Sequence, residues 1–151
     1  MNLADFLLWL HIVGAGTWLG ANIVQAVVPP LAAAQGPIVA AGWFRIGRAL
    51  GIRLYMPAGI IVLLTGIGLV IDSEVYGFGE TFVGIGFATV VIGIVLGSVF
   101  IDRAAASAAD AVESGDAGRT RQAAARLGAW GTLDTLILLF TIYAMVARLG
   151  A

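Results

Sequence analysis

The sequence predicts an all-α integral membrane protein, a bundle of four transmembrane helices, and three observations predict it. Hydrophobic residues make up 60% of the 151-residue chain and charged residues only 11%, which is far from the balance of soluble domains. The mean hydropathy is +1.00. Four stretches are also long and apolar enough to cross the ~30 Å hydrocarbon core of a bilayer.

The four predicted spans cover residues 6–28, 54–71, 81–101 and 127–147, and together they form a single transmembrane domain. The first span has no charged residue and covers roughly 34 Å at ~1.5 Å per residue. We expect Pro29 and Pro30 to end it. Pro57 falls in the first turn of span 2, where proline is tolerated. The fourth span is apolar except for Asp134, a costly residue inside a membrane.

The connection between spans 1 and 2 predicts a short interfacial helix. Pro37 follows a glycine and is suited to the first turn of a helix. Trp43 and Phe44 stand beside Arg45, a combination typical of a helix that lies at the membrane interface.

The connection between spans 3 and 4 predicts a cytoplasmic helical extension. Residues 102–126 are rich in alanine and are broken by the glycine-containing segment 114–118, so we expect a hairpin of two helices. Folding of that hairpin would bring Glu113 opposite Arg119 and Asp110 near Arg121. Such exposed pairs contribute only about 0–1 kcal/mol each.

The arginines predict the orientation in the membrane. Seven of the eight lie between spans 1 and 2 or between spans 3 and 4, and only Arg148 lies on the other side. Because short cytoplasmic loops retain basic residues, we expect both termini outside the cell membrane. Arginine without any lysine is compatible with a bacterium of high genomic GC content.

Composition also excludes several classes of function. A net charge of -1 and the lack of a basic stripe argue against a nucleic-acid partner. Without cysteine there is no disulfide, thiolate metal site or thiol nucleophile. No nucleophile–base constellation, nucleotide loop or carboxylate pair of a familiar hydrolase is present, so a non-enzymatic role is favoured.

Twenty-one glycines suggest how the helices pack. Small residues spaced four apart let helix backbones approach closely in lipid. The same spacing could serve a homodimer or a larger membrane complex. The pairs are Gly16 and Gly20, Gly47 and Gly51, and Gly93 and Gly97.

A polar stripe on the first span is the strongest functional signal. Its members are spaced 4, 3, 4 and 3 residues apart and therefore share one helix face. Histidine, asparagine and glutamine are costly against lipid tails, so the face should point into the bundle. The residues are His11, Ala15, Trp18, Asn22 and Gln25.

Depth decides which polar groups can meet. His11 lies roughly 8 Å below the outer boundary and Asp134 about 10 Å from the inner one, so a direct pair is disfavoured. We expect Asp134 to meet Trp18 or Asn22. The expected partners of His11 are Thr141, Tyr143 or Met145.

Each of these residues has a functional and a structural interpretation. His11 is a candidate haem ligand or proton-transfer group, or else a buried histidine satisfied by a hydroxyl or carbonyl. Asp134 is a candidate proton or cation site, or else an interhelical hydrogen bond made as the neutral acid. Trp18 and Asn22 would line a ligand or haem cavity, or else pack and hydrogen-bond between helices.

The outer loop offers one metal hypothesis. Its acids, Asp72, Glu74 and Glu80, could gather a divalent cation with oxygen ligands.

Two runs resemble a known group of proteins. They are LLWLHIVGAGTWLG and RALGIRLYMPAGIIVLLTGIGLV, within residues 7–70. Both runs resemble small multispan membrane proteins related to the copper-resistance protein CopD and to the HemJ-type protoporphyrinogen oxidases. The resemblance implies haem binding or catalysis at His11. Those oxidases also use a lysine, which this chain lacks, so haem binding is implied more directly than oxidase activity. A copper site would have only His11 and Met145 at a common depth.

Three functions of different class follow. The first, which the polar stripe favours, is the binding or transport of a small molecule or ion. The second is a haem-dependent redox protein, in which one histidine per chain requires two protomers for bis-histidine ligation. The third is a structural or accessory subunit that packs through its glycine faces.

Overall fold

The computed structural model describes residues 2–150, and four long helices account for most of them. They are α1 (Leu3–Ala34), α2 (Pro37–Asp72), α3 (Thr81–Glu113) and α4 (Ala117–Ala147). No strand occurs among the described residues. Each helix is long and apolar enough to cross a membrane. The predicted all-α chain with four such helices is therefore confirmed.

Short connections make consecutive helices antiparallel, so the bundle has two distinct ends. We call the end with residues 35–36 and 114–116 the arginine end, and the end with residues 2–3, 73–80 and 148–150 the terminal end. Helix α1 packs along α2 and α4, and α3 packs along α4. At the terminal end, the Phe82 amide donates to the Leu149 carbonyl at 3.1 Å, which ties the end of the chain to the start of α3.

Helix α1 does not end at its two prolines as predicted. It continues through Pro29 and Pro30 to Ala34. The prolines lack the amides that would bond carbonyls one turn earlier, but the next residues, Leu31 to Ala34, are strong helix formers. Ala32 is also buried. Packing and propensity after the prolines therefore maintain the helix.

The short helix predicted between spans 1 and 2 is not a separate element, because it continues without a break into span 2. Its segment, Pro37–Leu50, is the first part of α2 and packs on the last part of α3, Asp102–Glu113. Phe44 supplies the large side chain of the buried cluster between them. The other members are Ala40, Ala108, Ala109 and Ala123. The face that carries Phe44 is therefore covered by protein, whereas Ile38 and Ile46 of the same segment stay exposed.

The helical extension of α3 and α4 is present, but its ion pairs differ from those predicted. Glu113 pairs with Arg45 of α2, not with Arg119. Arg48 pairs with Asp102, with Nε 2.7 Å from Oδ1. Among the described residues, neither Asp110 nor Arg121 forms an ion pair. The prediction failed because it left out α2, which lies against the extension.

The break between α3 and α4 falls inside the predicted segment. Gly115 has φ +70°, a left-handed conformation that glycine adopts without strain. The Asp116 side chain accepts a hydrogen bond from the Arg119 amide at 2.9 Å and so caps α4.

Two of the helices contain π-helical turns. They lie at Gly51–Tyr55 in α2 and at Leu96–Ile101 in α3. Such turns insert an extra residue into an α-helix and are frequent at functional sites. Both occur in the half of the bundle nearer the arginine end.

The predicted glycine pairs do not form the internal helix contacts as pairs. A Cβ on Gly16, Gly20, Gly51 or Gly97 would meet nothing within 4 Å. One member of each of two pairs does touch a neighbour, because Gly47 lies against Gln25 and Gly93 against Trp18. Spacing alone could not show which glycines face another helix.

Candidate functional site

The predicted polar face of α1 does point into the bundle. None of its five residues is exposed, and Trp18 and Asn22 are buried. The face meets α2 on one side and α4 on the other. The stripe that the sequence indicated is thus the inward surface of α1.

Asp134 of α4 lies at the centre of a buried polar network. Its side chain is 5% exposed. Its Oδ2 atom accepts hydrogen bonds from Trp18 Nε1 at 2.9 Å and from Asn22 Nδ2 at 2.8 Å. Both contacts had been predicted from depth along the helices, and both are confirmed.

A third residue extends the network to α2. The Tyr55 hydroxyl donates to Asn22 Oδ1 at 2.9 Å. Asn22 therefore accepts from Tyr55 with its oxygen and donates to Asp134 with its nitrogen. Tyr55 is the last residue of the π-helical turn in α2. This turn therefore positions the Tyr55 hydroxyl, the outermost donor of the network.

The carboxyl group of Asp134 is used asymmetrically. Within residues 2–150, both hydrogen bonds to it end on Oδ2, and Oδ1 accepts none. No arginine or histidine side chain of the described residues forms an ion pair with it. Oδ1 faces Gly93 of α3 and lies 3.7 Å from the position that a Cβ would take there.

Gly93 makes room for the indole of Trp18, which donates a hydrogen bond to Asp134. A Cβ at this position would collide with Trp18 Cζ2 and Cη2. The backbone of α3 is part of a regular helix here, so glycine is needed for the approach of the ring and not for its backbone conformation. The glycine of α3 and the tryptophan of α1 thus set the position of the donor.

His11 belongs to a separate polar contact nearer the terminal end. It precedes Trp18 by seven residues, about 10 Å along α1. Its Nδ1 lies 3.0 Å from Thr65 Oγ1. The Thr65 hydroxyl donates to the Ile61 carbonyl at 2.6 Å, so we expect His11 Nδ1 to carry the proton and to donate to Thr65. In the neutral ring, Nε2 then holds the free lone pair.

The predicted partners of His11 were wrong. Thr141 instead pairs with Thr89 of α3, with their hydroxyl oxygens 2.6 Å apart. Tyr143 is exposed, and the Met145 methyl group packs against Gly86. The prediction assumed that α1 and α4 meet at this level, whereas His11 faces α2. Met145 likewise contacts α3 at Gly86, whereas the hydrogen-bond partner of His11 lies on α2.

The acids of the outer loop do not gather around a metal position. Among residues 2–150, no group of three or more histidine or acidic side chains is close enough to hold a metal ion. The loop is shaped instead by Ser73, whose Oγ accepts from the amides of Val75 and Tyr76. The predicted cation site of Asp72, Glu74 and Glu80 is therefore not formed.

Two apolar grooves open on the surface of the bundle, and neither is lined by Asp134 or His11. One, of about 450 Å³, lies between the end of α1 and the start of α2. The other, of about 350 Å³, lies between α3 and α4. Neither groove therefore provides a small-molecule cavity at the polar network.

Comparison with known proteins gives no match. No family model matches the chain, and neither a curated protein nor a solved structure is similar to it. The interpretation of the site therefore depends on its own geometry.

Sequence reasoning missed two residues of the polar contacts. Tyr55 stands in the RLYMPA segment at the start of span 2, and its hydroxyl lies at the level of Asn22. Thr65 is a hydroxyl residue in the middle of the same span. Comparing the depth of α2 residues with that of the α1 stripe, as was done for α4, would have indicated both.

Proposed function

We propose that this chain is a multi-pass membrane protein that binds and exchanges a proton at Asp134, as part of the binding or transport of an ion. We assign it to a bacterial cell membrane with both termini outside. The observation that carries the proposal is the buried Asp134 carboxyl, with both of its hydrogen bonds on one oxygen and no cationic partner.

Exposed apolar side chains support insertion into a bilayer. Ile12 of α1, Leu64 of α2, Val91 of α3 and Leu136 of α4 are each 59–61% exposed. A water-soluble bundle would turn such residues inward. Lipid tails offer them an apolar solvent on the outside of the bundle.

The distribution of arginine supports the orientation. Seven of the eight arginines lie in the half of the bundle nearer the arginine end, and Arg148 alone lies at the terminal end. The positive-inside rule places the arginine end in the cytoplasm. Tyr55 then lies on the cytoplasmic side of the network, and its hydrogen bond to Asn22 connects that side with Asp134.

The surroundings of Asp134 suit both protonation states. A charged carboxylate at the centre of a membrane helix costs about 3 kcal/mol, a cost that protonation removes. Two N–H donors on Oδ2 stabilise the negative form. Oδ1 accepts no hydrogen bond and can carry the proton in the neutral form. The side chain is thus supported before and after a proton is exchanged.

The same surroundings favour a proton over a metal cation or a small molecule. Divalent cations such as Ca²⁺ take six or more oxygen ligands, whereas Trp18 and Asn22 present N–H groups to Asp134. These groups cannot ligate a cation. The two surface grooves are not lined by Asp134, and a proton needs neither oxygen ligands nor a cavity of that size.

The two π-helical turns give the bundle a means to open the site. Tyr55 ends one of them, and the other begins three residues after Gly93. Such turns are frequent at functional sites, and we propose that a change of hydrogen-bond register in one of them opens the site. A shift in either helix would move Tyr55 or the wall opposite Asp134 Oδ1.

Proton uptake into liposomes tests the proposal. Purified protein would be reconstituted with a pH-sensitive dye inside, and a potassium diffusion potential would drive protons inward. We expect uptake by the wild type, loss of that uptake in Asp134→Asn, and retention in Asp110→Asn, which changes an exposed acid outside the network. Equal uptake in all three proteins, or none above protein-free liposomes, would contradict a proton-transport role.

Haem binding at His11 is a second candidate, and one specific observation favours it. The hydrogen bond to Thr65 leaves the Nε2 lone pair free, and an imidazole nitrogen is a common axial ligand of haem iron. Its other nitrogen is oriented by Thr65, as is usual for ligating histidines. If haem binds, His11 would supply one ligand to its iron per chain, and a second copy of the chain would supply another.

A further inference from the structure

An aromatic pair marks the seam between α3 and α4 near the arginine end. The rings of Phe100 and Trp130 have centroids 4.6 Å apart and are tilted by 38°. Arg103 follows Phe100 by three residues on α3, and Arg126 precedes Trp130 by four on α4. Because the two helices are antiparallel, both arginines lie about 5 Å beyond the rings in the same direction.

These two arginines have no carboxylate partner within the described part of the chain. Both are exposed, and the two ion pairs found among residues 2–150 use Arg45 and Arg48. The acid next to Arg103 is Asp102, which is already bound to Arg48. The seam therefore presents two uncompensated positive charges above an aromatic pair.

The same seam continues as an apolar groove away from the arginines. The groove of about 350 Å³ is lined by Ile92 of α3 and Ile137 of α4, among others. Trp130 and Ile137 are seven residues apart and so share one face of α4. Phe100 and Ile92 are eight residues apart. The π turn Leu96–Ile101 between them contains one residue more than an α-helical turn, so the two side chains still share one face of α3.

We propose that this seam binds one anionic phospholipid. Its phosphate lies between Arg103 and Arg126, its glycerol region lies on Phe100 and Trp130, and an acyl chain follows the seam toward the groove. The proposal depends on the membrane insertion proposed above but not on proton exchange at Asp134.

Charge and shape together select this occupant. Guanidinium groups bind phosphate through paired N–H donors, and basic pockets between membrane helices are a known way to hold lipid headgroups. Tryptophan is favoured at the depth of the headgroups. A soluble anion would contact the arginines but would leave the aromatic rings and the groove unoccupied. A lipid would contact both the charged part and the apolar part of the seam.

Lipid retention measured by native mass spectrometry tests the assignment. Detergent-purified protein would be titrated with phosphatidylglycerol or with phosphatidylcholine of the same acyl chains. The test variant is Arg103→Gln/Arg126→Gln. The matched control is Arg53→Gln/Arg121→Gln, which removes the same charge from exposed positions away from the aromatic pair.

We expect the wild type and the control to retain one phosphatidylglycerol in preference to phosphatidylcholine. The test variant should bind phosphatidylglycerol about 30-fold more weakly, since each arginine contributes a roughly fivefold preference for an anionic headgroup. Equal loss in both double variants would overturn the assignment to this seam. Competition by inorganic phosphate at the concentration of the lipid would also overturn it, because an ion would then suffice.

Discussion

Trp18 of α1 donates its indole N–H to Asp134 of α4 at 2.9 Å, across a bundle interior in which Gly93 of α3 leaves room for the ring. One hydrogen bond therefore depends on three helices. Asn22 and Tyr55 bring in the fourth helix, α2. The hydrogen bonds thus connect α1, α2 and α4 at one level, with Gly93 of α3 packed against the indole, and their perturbation should affect both stability and proton exchange.

Replacing Gly93 with alanine should destabilise the bundle, because the new methyl group would collide with the Trp18 indole. Overpacking of this kind costs about 1–3 kcal/mol. The matched control is Gly97→Ala, where the methyl group would meet nothing within 4 Å. Thermal unfolding in detergent, followed by tryptophan fluorescence, should separate the two variants. Equal stability would show that Trp18 does not pack against Gly93.

Removing the Tyr55 hydroxyl should weaken the network from the side of α2. Tyr55→Phe keeps the ring and deletes only the donor to Asn22 Oδ1, so the loss should be about 0.6–2 kcal/mol, as for other hydrogen bonds between membrane helices. Tyr143→Phe is the control, because Tyr143 is exposed. Denaturant titration of both variants measures the difference. A loss no larger than that of the control would be inconsistent with the Tyr55–Asn22 bond.

The tautomer of His11 can be read directly, because the chain has only one histidine. Nitrogen chemical shifts of the imidazole should show a protonated Nδ1 and an unprotonated Nε2 in the neutral ring. Thr65→Val should weaken that preference by removing the acceptor. Thr17→Val should not, since Thr17 bonds only to the Val13 carbonyl of its own helix. A neutral wild type with the proton on Nε2 would contradict the arrangement.

Haem ligation by His11 predicts a visible absorption band. Protein purified with added haem should show a Soret band, and His11→Ala should lose it. A ligand pair of two histidines would also require a dimer, which size-exclusion chromatography in detergent would detect. Absence of the band from the wild type after haem supplementation would eliminate this candidate.

The parts of the fold that depend on composition and depth were predictable from the sequence. Uninterrupted apolar runs located the four helices, and helical periodicity identified the inward face of α1. Counting residues from each boundary matched Asp134 with Trp18 and Asn22. These inferences succeed because a membrane constrains depth and a helix has a fixed rise per residue.

The predictions that were wrong concern contacts between helices, which no pattern along a single helix reveals. His11 could have faced either α2 or α4 at its depth, and the sequence does not say which. Glu113 could have paired with Arg119 or with Arg45, depending on where α2 packs. The prolines of α1 were read as a terminus, although the helix formers after them and the burial of Ala32 outweigh the missing amides.

The central claim is that Asp134 exchanges a proton inside the bundle, and infrared difference spectroscopy tests it most directly. Spectra of the purified protein would be recorded as the pH is stepped, beside Asp134→Asn. We predict a carboxylic-acid C=O band that appears and disappears reversibly with pH in the wild type and is missing from the variant. A wild type in which no such pH-dependent band belongs to Asp134 would contradict the claim and leave the residue as a fixed link between helices.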